Sequence, residues 1–157
     1  MDQAIIFCAK YLFIVIPLLL IIVWLQANKK QRKELILAVI IGVIIAVILD
    51  KIGGKLFYDT RPFVSQNIQP LVSHSADNGF PSEHALFSSL IATIIIFYRR
   101  QLGIIALVIA IVVGFARVLA HVHSPIDIIG GLAIGIGAGV AGVYLARRIL
   151  QDKLKKD

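Results

Sequence analysis

The chain has 157 residues, of which 59% are hydrophobic and only 16% are charged. A soluble domain is nearer to roughly 45–50% apolar and about 25% charged, so the composition excludes a disordered chain, a collagen, a coiled coil and a basic tail for nucleic acid. In a membrane protein, a net charge of +7 reflects mainly basic residues that set the membrane topology. We therefore expect no nucleic acid among the partners.

Apolar segments recur along the chain at lengths close to the ~20 residues that a membrane-spanning helix needs. In chain order they cover residues 5–26, 35–49 with an extension towards 57, 84–98, 102–122 and 125–145. The basic run NKKQRKE follows the first segment as a stop-transfer sequence does, so we expect a span there and not a cleaved signal peptide. The sequence predicts an all-α fold: one domain over residues 1–157 that forms a polytopic membrane bundle of about five transmembrane helices.

Most basic residues fall on one side of this predicted bundle. They follow the first span, separate the third from the fourth, and end the chain: Lys29, Lys30, Arg32, Lys33, Arg99, Arg100, Arg147, Arg148, Lys153, Lys155 and Lys156. By the positive-inside rule this side is cytoplasmic, and attraction to anionic lipids is a secondary effect. We therefore expect a multi-pass protein of the cytoplasmic membrane with its N-terminus outside and its C-terminus inside.

The fifth segment carries small residues at intervals of four. Gly131, Gly135 and Gly139 form one row, and Ala138 and Gly142 form another. Small residues at this spacing let membrane helices approach closely. Because these glycines lie in the middle of a span, we interpret them as packing residues and not as a loop that holds phosphate.

Three polar clusters lie at the opposite, outer ends of the predicted helices. The first is Lys55 with Arg61-Pro62, the second is Pro81-Ser82-Glu83-His84, and the third is Arg117 with His123 and Asp127. Ionisable groups close to membrane depth are costly and usually functional. Three cations, two imidazoles and a carboxylate able to orient one of them suit phosphoryl transfer, in which positioning and charge stabilisation dominate.

Two of these clusters coincide with predicted helix starts. Ser82 is expected to cap the third helix, and Ser124 the fifth, with Pro125 in the first position and Asp127 completing a capping box. A helix N-terminus with free amides binds anions. His121, four residues after Arg117, is expected to support the structure.

The third span is short. Its ~15 apolar residues would extend roughly 23 Å at 1.5 Å per residue, against about 30 Å of hydrocarbon. Ser82 and His84 are therefore expected to lie below the outer surface. Such a position suits a lipid whose headgroup reaches the site while its tail stays in the bilayer.

The clusters resemble the signature of the type 2 phosphatidic acid phosphatase superfamily, K-x6-R-P, P-S-G-H and S-R-x5-H-x3-D. Arg117, His123 and Asp127 match the third motif in spacing, Pro81-Ser82-x-His84 matches the second, and Arg61-Pro62 matches the end of the first. The resemblance covers residues 50–145. The stretch from His74 to His84, HSADNGFPSEH, is similar to the bacitracin-resistance branch, the undecaprenyl-diphosphate phosphatases.

The chain departs from this signature in three places. Lys55 stands one position closer to Arg61 than the family lysine, where Gly54 is found instead, and Lys51 is the alternative. Ala116 replaces the serine of the third motif, and Glu83 replaces the glycine of the second. Family members usually have six spans, so five indicate either a trimmed first region or a homodimer.

The resemblance implies a metal-independent, two-step displacement without a cofactor. His123 would attack the terminal phosphorus and Asp127 would hold its imidazole, while His84 would protonate the leaving lipid phosphate and then activate water. The phosphoryl group would be bound by Lys55, Arg61, Ser82, Arg117 and the Glu83 amide. We expect His74 and Asp77 to contact the second phosphate or the polyprenyl headgroup, and the Glu83 carboxylate to pair with a cation of the empty site.

Three functions remain open at this point. The first is a phosphatase for undecaprenyl diphosphate, with the active site facing outside. The second is a phosphatase for phosphatidylglycerophosphate or phosphatidic acid, because the motifs determine the substrate class poorly. The third is a lipid transporter or binding protein without hydrolysis, for which the pair His123 and Asp127 has no obvious use.

Overall fold

The computed structural model describes the backbone of residues 1–154 and the side chains of residues 1–152. The side chains of Lys153, Lys155 and Lys156, which belong to the predicted cytoplasmic cluster, lie outside this part. The helices are α1 (Asp2–Lys10), a 3-10 turn (Leu12–Ile14), α2 (Val15–Gln26), α3 (Lys29–Leu56), α4 (Pro62–Ser65), α5 (Glu83–Ile96), α6 (Arg100–Leu119) and α7 (Pro125–Leu154). Within these described residues the only β-type pairing is an isolated bridge between Thr60 and Asn78.

The helices form an all-α membrane bundle, as predicted. Four segments are long and apolar enough to cross a membrane: Asp2–Gln26, Lys29–Leu56, Arg100–Leu119 and Pro125–Asp152. The third predicted span is the shorter helix α5, with 14 residues, which at 1.5 Å per residue extends only about 21 Å. The protein is therefore a multi-pass membrane protein in which one helix is shorter than the hydrocarbon core.

The first span is interrupted between α1 and α2. Pro17 lies in the first turn of α2 and the 3-10 turn Leu12–Ile14 precedes it. Proline has no N–H and therefore cannot donate to the carbonyl four residues earlier, here that of Phe13. The local tightening to a 3-10 turn is the expected response.

The short helix α5 lies at the centre of the bundle. Leu86, Leu90, Ile94 and Ile95 on this helix are all 0% exposed. They belong to the main apolar core together with residues of α2, α3, α6 and α7. Neighbouring helices therefore enclose α5 along most of its length.

The small residues of α7 let it pack closely against α5 and α3. A Cβ added at Gly131 would lie 2.6 Å from the Ser82 carbonyl oxygen, and one at Gly139 would lie 2.9 Å from that of Leu90. A Cβ added at Gly142 would lie 2.5 Å from the Ala38 carbonyl oxygen. The prediction that this stripe is a packing surface is confirmed.

A polar cluster joins the helices at the end of the bundle where the basic residues lie. Glu34 Oε1 accepts hydrogen bonds from Arg147 Nε at 2.7 Å and from Tyr98 Oη at 2.9 Å. These contacts link α3 to α7 and to the α5–α6 connection. Glu34 and Arg147 thus form an ion pair at this end of the bundle.

Gly135 and Gly137 provide a direct test of this packing. A Cβ at Gly135 would overlap the Leu86 carbonyl oxygen, whereas one at Gly137 would meet nothing within 4 Å. We expect Gly135→Ala to cost about 1–3 kcal/mol and to lower the Tm in detergent by several degrees. Gly137→Ala is the matched control, and it should leave the Tm unchanged or slightly higher because alanine favours a helix. Equal Tm values for the two variants would contradict the packing account.

Candidate active site

A polar cavity of about 450 Å³ lies where α3 ends and α5 begins. The residues that line it are Asp50, Lys51, Gly54, Arg61, His74, Ser75, Asp77, Asn78, Phe80, Pro81, Glu83, His84, Arg117 and His123. Seven of the site residues predicted from the sequence line this single cavity: Arg61, His74, Asp77, Glu83, His84, Arg117 and His123. Members of all three clusters meet there, as expected, although Arg61 and His123 are 62 residues apart in the chain.

His123 lies in the segment between α6 and α7 and is 3% exposed. Its Nδ1 atom lies 3.2 Å from Asp127 Oδ2, and Asp127 is 0% exposed. Since an ionised carboxylate only accepts hydrogen bonds, this contact favours the tautomer with the proton on Nδ1. The lone pair of Nε2 is then free to act as a nucleophile.

Two guanidinium groups lie beside the imidazole of His123. Arg61 Nη1 is 3.4 Å from Nε2, and Arg117 Nη2 is 3.5 Å from the same atom. Both arginines are 5% exposed. Fixed cations at the atom where a phosphoryl group would be attacked are suited to stabilise its negative oxygens.

The surroundings of His123 change its pKa. Burial lowers the pKa of His123, the hydrogen bond to Asp127 opposes this, and the charges of Arg61 and Arg117 lower it further. The net direction is downward from the usual value of about 6.5. The imidazole is therefore neutral at pH 7, as a nucleophile must be.

Arg61 is held by three acceptors around its guanidinium group. Nε donates to Asp77 Oδ1 at 2.8 Å, Nη1 donates to the Val122 carbonyl at 2.8 Å, and Nη2 donates to the Asn78 carbonyl at 3.1 Å. The pKa of Asp77 is lowered, first by the hydrogen bond from Ser75 and then by Arg61. The carboxylate of Asp77 is thus engaged with Arg61 and orients it.

Asn78, which the sequence analysis missed, organises the loop that carries Arg61. Its Nδ2 donates to the carbonyls of Gly54 and Phe57 at 2.9 and 3.0 Å. Its Oδ1 accepts from the backbone N–H groups of Asp59 and Phe80 at 2.9 and 3.0 Å. All four hydrogen-bonding positions of the amide are used, which joins the end of α3 to both flanks of the site. Its four partners are all backbone groups, so no residue pattern in the sequence indicates them.

The residue after Asn78, Gly79, has no room for a side chain. A Cβ at Gly79 would lie 2.7 Å from Asp127 Oδ2 and 3.2 Å from the Asp59 carbonyl oxygen. The backbone therefore passes directly over the buried carboxylate. Only glycine allows this approach without displacing Asp127.

The two other cavity histidines lie on either side of the site. His84, half-buried at the start of α5, contacts Phe13 edge to face, with the ring centroids 5.0 Å apart. The His74 ring is 5.8 Å from that of His123 in a similar arrangement. Burial and the charge of Arg61 lower the pKa of His74. His74 is thus close enough to contact a substrate bound at His123.

Lys55 was expected to bind the phosphoryl group and Glu83 to pair with a cation, but the structure places both residues differently. Lys51 lies on the cavity wall, whereas Lys55 is an exposed residue outside the residues that line it. Glu83 is exposed at the cavity and forms no ion pair with the described residues. The carboxylate of Asp50, one turn of α3 before Gly54, adds a second acidic group to this wall.

The predicted side-chain caps are not formed. Ser82 is the residue before α5 but makes no capping hydrogen bond through its side chain, and its buried Oγ has no partner among the described residues. Ser124 Oγ donates to Asp59 Oδ2, and the capping-box contact present is that of the Ser124 N–H with Asp127 Oδ2 at 2.9 Å. Asp127 therefore accepts from both His123 and the start of α7.

His121 contributes through its backbone. It has a positive φ of 61° and an exposed side chain. Its carbonyl accepts a hydrogen bond from the Phe63 N–H at 3.0 Å. This contact fixes α4, which follows Arg61, to the turn that precedes His123, in line with a supporting role.

Within the described residues there is no group of three or more His, Cys, Asp or Glu side chains arranged to hold a metal ion. Independence of metal remains a prediction for the reaction itself.

The model of the PAP2 superfamily matches residues 33–150 of the chain. The chain belongs to the PAP2 superfamily. The resemblance stated from the motifs is confirmed, and with it the prediction of a hydrolase that acts as a lipid phosphatase.

Three PAP2 relatives are similar over most of the chain. Undecaprenyl-diphosphatase BcrC of Bacillus subtilis (strain 168) is 29% identical over 88% of this chain and 72% of its own length. Bacitracin transport permease protein BcrC of Bacillus licheniformis is 34% identical over 87% and 67%. Putative undecaprenyl-diphosphatase YbjG of Escherichia coli (strain K12) is 35% identical over 93% and 72%. No solved structure matches the chain significantly.

The lowered pKa of His123 can be measured by NMR titration of histidine-labelled protein in detergent. We expect a value below 6.5, since burial and the two arginines favour the neutral form. In Asp127→Asn the value should fall further, because the carboxylate that favours the cation is lost. The fraction of active enzyme should then decrease as the pH falls through the pKa of His123. A wild-type value above 6.5, or no change in Asp127→Asn, would contradict this electrostatic account.

Proposed function

We propose that the protein hydrolyses undecaprenyl diphosphate to undecaprenyl phosphate and phosphate at the outer face of the cytoplasmic membrane, by way of a phosphohistidine. The observation that carries the proposal is the buried His123, with Asp127 at Nδ1 and the guanidinium groups of Arg61 and Arg117 within 3.5 Å of Nε2. This arrangement provides a neutral nucleophile and two fixed cations at the same atom.

In the first step Nε2 of His123 bonds to the terminal phosphorus while the bridging P–O bond breaks. The electron pair of that bond stays on the oxygen of the leaving lipid phosphate, which takes a proton from His84. Asp127 stabilises the imidazole as it gains positive charge, as the carboxylate of a Ser-His-Asp triad does.

In the second step water replaces the imidazole at phosphorus. His84, now neutral, takes a proton from the water, the new O–P bond forms, and the N–P bond breaks with its electron pair returning to Nε2 of His123. Phosphate then leaves. Splitting the hydrolysis in this way replaces one difficult displacement with two easier ones.

Several cations and hydrogen-bond donors would bind the negative oxygens of the transferred phosphoryl group. Arg61 and Arg117 are the principal ones, and we assign the role of the first-motif lysine to Lys51 because Lys55 does not line the cavity. The Glu83 amide at the start of α5 and the unpartnered Oγ of Ser82 add neutral donors.

The second phosphate of the substrate would contact His74, which lies beside His123. Asp77 would act on the same headgroup through Arg61, since its carboxylate already accepts from that guanidinium group. The role of Asp77 is thus to position a cation, because a free carboxylate would repel phosphate.

The choice of a polyprenyl diphosphate rests on two supports. Two of the similar PAP2 relatives bear the name undecaprenyl-diphosphatase, and Glu83 with the residues from His74 to Phe80 is typical of that branch.

The outward orientation rests on the basic residues. Arg99, Arg100 and Arg147 lie at the ends of α5, α6 and α7 opposite to the cavity, and by the positive-inside rule the basic side is cytoplasmic.

The test is release of inorganic phosphate by purified protein in detergent with EDTA present. Undecaprenyl diphosphate, phosphatidylglycerophosphate and phosphatidic acid would be compared, with His123→Ala as the blank. We expect strong preference for the diphosphate, no effect of EDTA, and loss of turnover in the variant to the background level.

Three other results would contradict part or all of the proposal. Preference for a glycerolipid would keep the chemistry and overturn the substrate. Full activity of His123→Ala would overturn the nucleophile. No phosphate release from any of the three lipids would contradict the phosphatase and leave transport or binding of anionic lipids.

A further inference from the structure

A second cavity of about 260 Å³ opens along the first span, between the break at Pro17 and helix α5. Its lining is largely apolar: Phe13, Ile16 and Pro17 come from the first span, and Phe87, Ser88 and Ile91 come from α5. We call these six residues the apolar groove. Phe13 belongs to the 3-10 turn and Pro17 to the first turn of α2, so the groove lies at the break in the first span.

The apolar groove is continuous with the polar cavity. Glu83 and His84 line both. Phe13 stands at the junction, with its ring edge to face with that of His84 at 5.0 Å. One side of His84 thus faces the phosphate-binding residues, and the other faces hydrocarbon side chains.

The proposed reaction determines which part of a lipid lies at this junction. His84 gives its proton to the oxygen of the leaving lipid phosphate, and the hydrocarbon chain is attached beyond that phosphate. The chain must therefore leave the site on the side of His84 that faces away from His123. That side is the start of the apolar groove.

On this basis, and resting on the proposed function, we propose that the apolar groove binds the first isoprene units of the substrate chain. Its volume is smaller than the roughly 300–1,000 Å³ of sites that enclose a whole drug-sized ligand. It therefore accommodates only the part of the chain next to the phosphate, while the remainder stays in the bilayer. The groove makes the enzyme specific for an apolar chain that is attached directly to the phosphate.

The test is to fill the groove and compare two substrates with the same headgroup. Ile91→Trp adds bulk within the groove, and Ile111→Trp makes the same change on α6, where Ile111 is 51% exposed. Undecaprenyl diphosphate and the water-soluble dimethylallyl diphosphate, which has a single isoprene unit, would serve as substrates for the purified enzyme in detergent.

For Ile91→Trp we expect the KM for undecaprenyl diphosphate to rise about tenfold, which corresponds to lost contact with about two methylene groups. The kcat/KM for dimethylallyl diphosphate should stay within about twofold of wild type, because Ile91 lies about 10 Å along α5 from His84 and a single isoprene unit does not reach it. Ile111→Trp should change neither. An equal loss with both substrates, no loss with either, or the same loss in Ile111→Trp would overturn the proposal.

A binding measurement separates this proposal from the reaction. A photoreactive undecaprenyl diphosphate, with the reactive group on its first isoprene units, would be irradiated with His123→Ala in detergent. Cross-links to α5 and to the segment from Phe13 to Pro17 support the groove even if no lipid is hydrolysed. Cross-links confined to other helices would overturn the groove while leaving the proposed hydrolysis intact.

Discussion

Two buried arginines beside one neutral histidine set the central constraint of this protein. Arg61 and Arg117 repel each other and lower the pKa of His123, so an empty site of this kind is costly unless each guanidinium group is held. Arg61 is held by Asp77 and by the carbonyls of Val122 and Asn78. Arg117 reaches the carbonyl of Ala9 in the first span, while its Nε has no partner among the described side chains. An anionic phosphoryl group would relieve this repulsion. The two arginines therefore favour binding of an anion at His123.

The central helix connects this site to the membrane. At about 21 Å, α5 is shorter than a hydrocarbon core of about 30 Å, and we expect its first residues, with His84, to lie below one surface. The small residues of α7 bring that helix against α5 and α3, which sets the start of α7, with Asp127, beside the start of α5. A lipid phosphate can then reach the site from the bilayer with its chain still in hydrocarbon.

Much of this could be predicted from the sequence, because spans follow from hydropathy and the motif residues are close to helix ends. The all-α membrane fold, the packing glycines and the meeting of His84, Arg117 and His123 at one cavity are examples. The side chains at the helix starts could not be predicted, since Ser124 Oγ donates to Asp59 and Ser82 Oγ has no partner among the described residues. The role of Asn78 could not be predicted either, because its partners are backbone groups and three of the four are 19 or more residues away. The position of Lys51 depends on the helical phase at the end of α3.

The nucleophile is the central claim, and trapping the covalent intermediate tests it most directly. The enzyme would be mixed with undecaprenyl diphosphate labelled in its terminal phosphate, quenched in alkali, in which phosphohistidine is stable, and mapped by mass spectrometry. The account predicts label on His123, with more of it in His84→Ala if the first step still proceeds there. Label on His84, or turnover without any labelled histidine, would contradict it.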